Sequence, residues 1–218
     1  DMTFGQILAG IFQGFGVTAT VTAYGLLYAI PFAFFGGVMQ HFTRGPVRAV
    51  VTMVIEFWRS SPVIITLFVL YYTLPSFGIT LSGITVGAMA LGLNIGGYGS
   101  QAVRAALQSL DRGQAEAGLA LGIRRWEVLA LIELPQAFTA MLPSFINQFI
   151  QLVKGTALVS LITLTDMTFR AKQLSQLSYD PVGTYTGLLL AYFIVCYPAT
   201  VFGRLLERRV AGGRSHEF

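Results

Sequence analysis

One lysine, Lys154, lies inside a long uncharged stretch, with Gln136 to Val153 before it and Gly155 to Thr165 after it. An ammonium buried in a membrane is costly unless it is paired or hydrated, so such a residue is a functional candidate by default. Asn147, Gln148, Gln151 and Thr156 lie close to it in the chain. The chemistry these groups offer is the binding and passage of a polar solute. A lysine that snorkels or pairs structurally is the other reading. A second polar group, Asn94, Tyr98 and Gln101, interrupts the uncharged run from Ser60 to Val103. Asn94 and Gln101 are seven apart and share one helical face. Gly96, Gly97 and Gly99 beside them allow close backbone approach. Helix packing and a solute path both account for that set.

A third stretch is charged. It runs Glu116-Ala117-Gly118-Leu119-Ala120-Leu121-Gly122, then Ile123-Arg124-Arg125-Trp126-Glu127, and closes on Ile132-Glu133-Leu134-Pro135. A polar interruption between apolar spans sits in water and touches something. Gly122 permits a turn between two helical pieces, and Pro135 can start the next helix. Arg124, Arg125 and Trp126 offer charge and an aromatic anchor to a partner surface. Farther back, Glu56 and Arg59 are three apart and can pair on one helical side. They read as a neutralising pair at a membrane boundary, or as a subunit contact or gate.

Several chemistries are missing. Neither lysine, Lys154 or Lys172, follows a Gly-x-x-x-x-Gly-Lys-Ser/Thr loop, so no P-loop binds ATP here. His41, His216 and Cys196 are far apart and give no metal-ligand spacing, so no metal is expected. The lone Cys196 permits no disulfide within the chain. No Ser/His/Asp arrangement can be defended. Aromatics interleaved with basic residues on one face, which nucleic-acid binding would want, are absent. The chain reads as no enzyme, with no cofactor of its own.

The elements that position these groups follow from composition. The 218 residues are 54% hydrophobic and only 11% charged, with mean hydropathy +0.66. Soluble domains carry about 25% charge, so the class is an all-α integral membrane protein in contact with lipid. At about 20 apolar residues per crossing the length suits about five transmembrane helices. The expected division is an amphipathic lead-in at 1–13, a transmembrane domain at 14–209 and a polar tail at 210–218. Within it helices are expected near 14–40, 62–74, 84–107, 137–162 (broken near Gly155) and 182–203. Pro31 kinks the first. Residues 41–48, 111–135 and 166–180 are polar loops. No basic segment precedes the first apolar run, which is expected to be retained as a span. Alternate loops put Arg44, Arg48, Arg104, Arg112, Arg124, Arg125, Arg204, Arg208, Arg209 and Arg214 on one side, and Arg170 and Lys172 on the other. The positive-inside rule makes the first side cytoplasmic. The N-terminus is then outside, the C-terminus inside and the Glu116–Pro135 stretch cytoplasmic.

The spacing Glu116-Ala117-x-x-x-x-Gly122, nine residues, Ile132-x-Leu134-Pro135 resembles the EAA loop of permease subunits of bacterial ATP-binding-cassette (ABC) importers. Glu56-x-x-Arg59-Ser60-Ser61-Pro62, Leu93-Asn94-x-x-x-Tyr98, Gly113-Gln114-x-Glu116-Ala117, Leu134-Pro135-Gln136-Ala137 and Leu142-Pro143-x-x-x-Asn147-Gln148-Phe149 resemble the polar amino-acid branch, the histidine/glutamine-type permeases. The resemblance covers residues 14–209. It implies a type I ABC importer permease fold of five spans in a bacterial inner membrane, paired with a second, identical or similar permease. Two ATPase subunits, which hold ATP and Mg, and an extracytoplasmic solute-binding protein complete the importer. Glu116, Ala117, Gly122, Arg124, Arg125, Trp126 and Pro135 would form the ATPase-coupling loop. Asn94, Tyr98, Gln101, Asn147, Gln148, Lys154 and Thr156 would line the solute path. Two departures stand out: Ser100-Gln101 where the family has Ala-Glu, and Gly155-Thr156-Ala157 where it often has Asp-Thr-Ser. They keep open a compatible solute such as ectoine, or a solute site held by the partner permease. A stand-alone secondary carrier or channel is the rival from another class. Only one intramembrane charge and no inverted repeat stand against it.

Overall fold

The computed structural model describes residues 2–214, and among these every regular element is helical. The last four residues of the polar tail lie outside the described residues. Helix α1 (Phe4–Phe12) opens on a capping box, with Thr3 and Gln6 exchanging hydrogen bonds. Helix α2 (Phe15–Phe42) follows at once and continues through Pro31. Helix α5 (Gly83–Gln108) starts at Ser82, whose hydroxyl accepts the Thr85 N–H. Helices α2 and α5 pack backbone to backbone. Gly25, Ala29, Ala33 and Gly37 on α2 meet Gly92, Gly96, Gly99 and Ser100 on α5; a Cβ added at Gly96 would stand 2.8 Å from the Ala29 carbonyl. Small residues at spacings of about four are what close helix contact in a membrane requires. Packing therefore accounts for Gly96, Gly97 and Gly99, all buried.

Helix α3 (Gly45–Ser60) corrects the expected placement of loop and helix, a loop at 41–48 and the second span near 62–74. Instead the chain turns at Gly45, with φ +62°, and is helical from there. Arg48, Thr52, Glu56 and Arg59 fall on one stripe of α3, and Val47, Val50, Met53, Val54 and Phe57 are exposed on another. The helix is amphipathic, so overall apolarity does not mark it. At Ser61–Pro62 the chain bends by 94° into α4 (Val63–Phe68) and its continuation, a π-turn at Val69–Thr73 and a 3-10 turn at Leu74–Phe77.

Helices α6 (Arg112–Ala120) and α7 (Arg125–Val128) build the charged stretch. A π-turn at Leu129–Glu133 joins α7 to α8 (Leu134–Gly155), which tightens to a 3-10 helix at Thr156–Ile162. Residues 166–180, expected as a loop, hold helix α9 (Met167–Ser178). Helix α10 (Pro181–Arg214) closes the chain.

Among the described residues three helical runs, Phe4–Phe42, Arg125–Ile162 and Pro181–Leu206, are long and apolar enough to cross a membrane; the bent pair Gly45–Ser60 with Val63–Phe77 is a fourth if it is one broken span. The fifth expected span is α5. At 26 residues it is about 39 Å long, enough to cross, but its glycines and amides lower its hydropathy. It tolerates them because α2, α3 and α8 sheathe it.

Candidate coupling loop and solute path

The charged stretch folds as two short helices joined by a tight turn, called the hinge below. Helix α6 is capped by Asp111, whose carboxylate accepts the Gly113 N–H at 2.9 Å. It ends in a Schellman motif: Ile123 N–H donates to Gly118 O and Gly122 N–H to Leu119 O. Gly122 sits at φ +82°, a conformation that costs an L-residue about 1–2 kcal/mol. Arg124 opens α7, its backbone N–H donating to Glu127 at 2.9 Å. Gly118 is buried against Val128 and Ile132, which folds α6 back over the π-turn. Glu116 and Ala117 are exposed, as are Leu119, Leu121 and Trp126, at 45%, 81% and 63%.

Arg125 turns the other way, toward its own chain. Its guanidinium makes a bidentate pair with Glu133, 2.7 and 3.0 Å, and lies 4.5 Å from the Phe42 ring centroid. Pro135 has no N–H to donate back along the helix, and the π-turn just before it absorbs that gap. Arg44, Arg48, Arg112, Glu116 and the Arg125–Glu133 pair line one hollow of about 620 Å³ beside the loop.

The expected solute-path residues divide. Asn94, Tyr98 and Gln148 line a single hollow of about 370 Å³ with Gln151 and Gly155. Asn94 also holds α3 in place, its amide donating to Trp58 O at 2.9 Å. Arg59 pairs with Glu56 at 2.9 Å and lies 5.8 Å from the Tyr98 ring centroid. Gln101 leaves this group. Its amide donates to buried Gln40 at 2.9 Å, and Gln40 donates to Thr52, so a polar chain ties α5, α2 and α3 together. Asn147 and Lys154 are exposed on an adjoining face of α8, seven apart, and Lys154 has no ion pair among the described residues. Thr156 is fully buried and donates to Val153 O, away from the hollow.

Two residues of consequence escape a reading of the sequence. Gln40 is 3% exposed near the end of an apolar helix; a lone amide in such a run is the available signal. Asp166 is fully buried and caps α9, accepting the Phe169 and Thr168 N–H groups at 2.9 and 3.1 Å. Burial pushes its carboxyl above the usual range; those hydrogen bonds offset only part of the effect.

A bundle of membrane-length apolar helices with a polar hollow in it and a charged segment standing outside it has the build of a membrane permease subunit. Residues 29–212 match the family described as binding-protein-dependent transport system inner membrane component, and the chain belongs to that family. Its members are the membrane subunits of ABC transporters, not enzymes. The chain is 35% identical to a probable amino-acid ABC transporter permease of Sinorhizobium fredii, over 99% of this chain and 93% of that one. It is 29% identical to the L-cystine transport system permease TcyB of Bacillus subtilis, over 96% and 89%. Its fold superposes on a chain of a crystallised amino acid ABC transporter with TM-score 0.77 and 28% identity, over 93% of both chains. It also superposes on a chain of the inward-facing MetNI methionine transporter, with TM-score 0.72 and 21% identity, over 93% and 94%.

Proposed function

We propose that the chain is the conducting permease of an ATP-driven, binding-protein-dependent importer for polar amino acids or related small zwitterions. The observation that carries this is the hollow of about 370 Å³ where Asn94, Tyr98, Gln148 and Gln151 converge at the bend between α3 and α4. Its size falls within the range of about 300–1,000 Å³ typical of small-molecule sites. Amides and a phenol offer both donors and acceptors, which suits a zwitterion. The relatives carry amino-acid permease names, which supports the same class.

In this reading the chain crosses the bacterial inner membrane five times, counting α5 and the bent α3–α4 pair. The N-terminus is outside and the C-terminus cytoplasmic. Arg44, Arg48, Arg112 and Arg125 lining one hollow support that side as cytoplasmic. A second permease stands against the exposed Asn147–Lys154 face and supplies what Lys154 pairs with, or the solute does. A binding protein delivers solute outside. Two ATPases, which hold ATP and Mg, grip the α6–α7 hinge through Leu119, Leu121, Trp126 and Glu116. Their closure moves the hinge and switches the bundle between inward- and outward-open states.

The test is reconstitution of the chain with its ATPase, second permease and binding protein in proteoliposomes. Gly122→Val forces a β-branched residue into the left-handed turn. It should lower ATP-driven uptake by about tenfold or more, from about 1–2 kcal/mol of strain in the hinge. Uptake that persists without any ATPase, or is untouched by Gly122→Val, sinks the reading.

A further inference from the structure

The hinge is covalently joined to α5 through residues 109–111 and to α8 through the π-turn. It is not directly joined to α2, the helix whose backbone packs most intimately on α5. Among the described residues no hydrogen bond joins residues 112–133 to α2 either. A charged contact does reach α2: the Arg125 guanidinium lies on the ring of Phe42, its last residue.

We infer that Arg125, Glu133 and Phe42 form a joint that hands the movement of the hinge to α2. This rests on the coupling role proposed above and adds the helix that receives the motion. Several features make the contact stiff. Glu133 is 7% exposed and holds the guanidinium through two hydrogen bonds in one plane, the strongest and most directional form of that pair. The π-turn ends on Glu133; its extra residue rotates the helix beyond it by about 100° relative to an uninterrupted α-helix, which sets the carboxylate under Arg125. The guanidinium also sits at the C-terminal, electronegative end of α2, where a cation is favoured, and over an aromatic face, where it is attracted again. His41 packs edge-on against Phe42 at 4.9 Å between centroids and holds the ring.

A joint of this kind has a positioning role. Loss of it should leave the hinge able to dock and the ATPases able to turn over while the bundle no longer follows. The experiment is the ratio of solute imported to ATP hydrolysed, in the full reconstituted transporter, for wild type, Glu133→Gln and Phe42→Leu. Glu133→Gln keeps the shape and removes the charge; Phe42→Leu keeps the ion pair and removes the ring. Each should lower import per ATP by about fivefold or more with ATP hydrolysis still above half of wild type. In the chain alone, spin labels on Leu121→Cys and on Arg44→Cys, the latter in the turn directly after α2, in a Cys196→Ser background should report a broader distance between the hinge and that turn with Glu133→Gln. If Glu133→Gln does not accumulate, Phe42→Leu decides on the same ratio. An unchanged ratio in a wild-type-like complex overturns the joint and leaves the importer reading standing. A wild-type chain that assembles with no ATPase overturns both.

Discussion

Two amides that meet in one hollow do different work, and the difference can be measured. Asn94 has its NH2 committed to Trp58 O, whereas the Gln148 side chain makes no hydrogen bond among the described residues and faces the hollow. Asn94→Ala leaves α3 carbonyls unpaired and should lower stability by about 1–3 kcal/mol as well as impair uptake. Gln148→Ala should leave the thermal midpoint alone and raise KM for uptake by about tenfold, as expected for one lost hydrogen bond to a polar ligand. An unchanged KM would remove Gln148 from the path. The sequence brings these residues into view because helical spacing is reliable over one turn: Asn94 and Tyr98 are neighbours on α5. It fails over two turns. Gln101 shares the face of Asn94 but lies about 10 Å farther along the axis, where Gln40 and Thr52 are the neighbours. Thr156 fails for the opposite reason. It is two residues from Lys154, hence about 200° around the helix, and is buried.

The elements hardest to read in the sequence are the amphipathic ones. Helices α3 and α9 mix charges with apolar residues, so neither looks like a span, and composition places each in a loop in whole or part. Helix α9 nonetheless carries a clear signal: Asp166 at the N-cap, directly before its first turn. That cap is unusual in being fully buried, beside Thr18 and the close-packed Gly14. The consequence is a dependence on pH with a definite sign. The carboxyl of Asp166 is raised in the folded state by burial, so the fold favours the protonated form. Its contribution to stability is full below the ordinary carboxyl range, about pH 4, and is lost as pH rises through the raised value. Thermal midpoints of the purified chain should therefore fall between acid and neutral pH through this group. Asp166→Asn keeps a capping oxygen without the charge and should flatten that part of the profile. It should also match or exceed wild type at neutral pH. Asp166→Ala loses the cap, about 1 kcal/mol, and the titration with it, so its deficit against wild type should be largest at acid pH and shrink toward neutral pH. Identical profiles for wild type and Asp166→Asn would show that the buried carboxylate is not the titrating group.

At the scale of the molecule, the bundle and the hinge obey different solvents. Within the bundle, small residues do the packing and large apolar residues such as Leu27, Phe35, Leu189 and Phe193 face outward at 67%, 69%, 70% and 56% exposure, as lipid allows. The hinge breaks that pattern. Leu121 and Trp126 are as exposed as those residues, yet they stand among Glu116, Arg112 and Arg124 on a segment too polar for lipid. Apolar side chains exposed on a polar segment mark a protein contact, and an exposed tryptophan is the residue type most often found at its energetic centre. The partner surface then has to offer an apolar recess rimmed by charge. Because neither side chain packs within the chain, Leu121→Ser and Trp126→Ala should leave the thermal midpoint and helical content of the isolated permease unchanged. Each should weaken capture of the ATPase subunits by about 2 kcal/mol or more if it fills the central recess, read as a loss of about thirtyfold in affinity during co-purification from detergent. The two readings separate cleanly. A fall in the midpoint of the isolated chain would make these residues part of its own packing. Undiminished capture with both replaced would move the contact to Glu116 and Arg124, whose strength would fall with salt, while an apolar contact would hold.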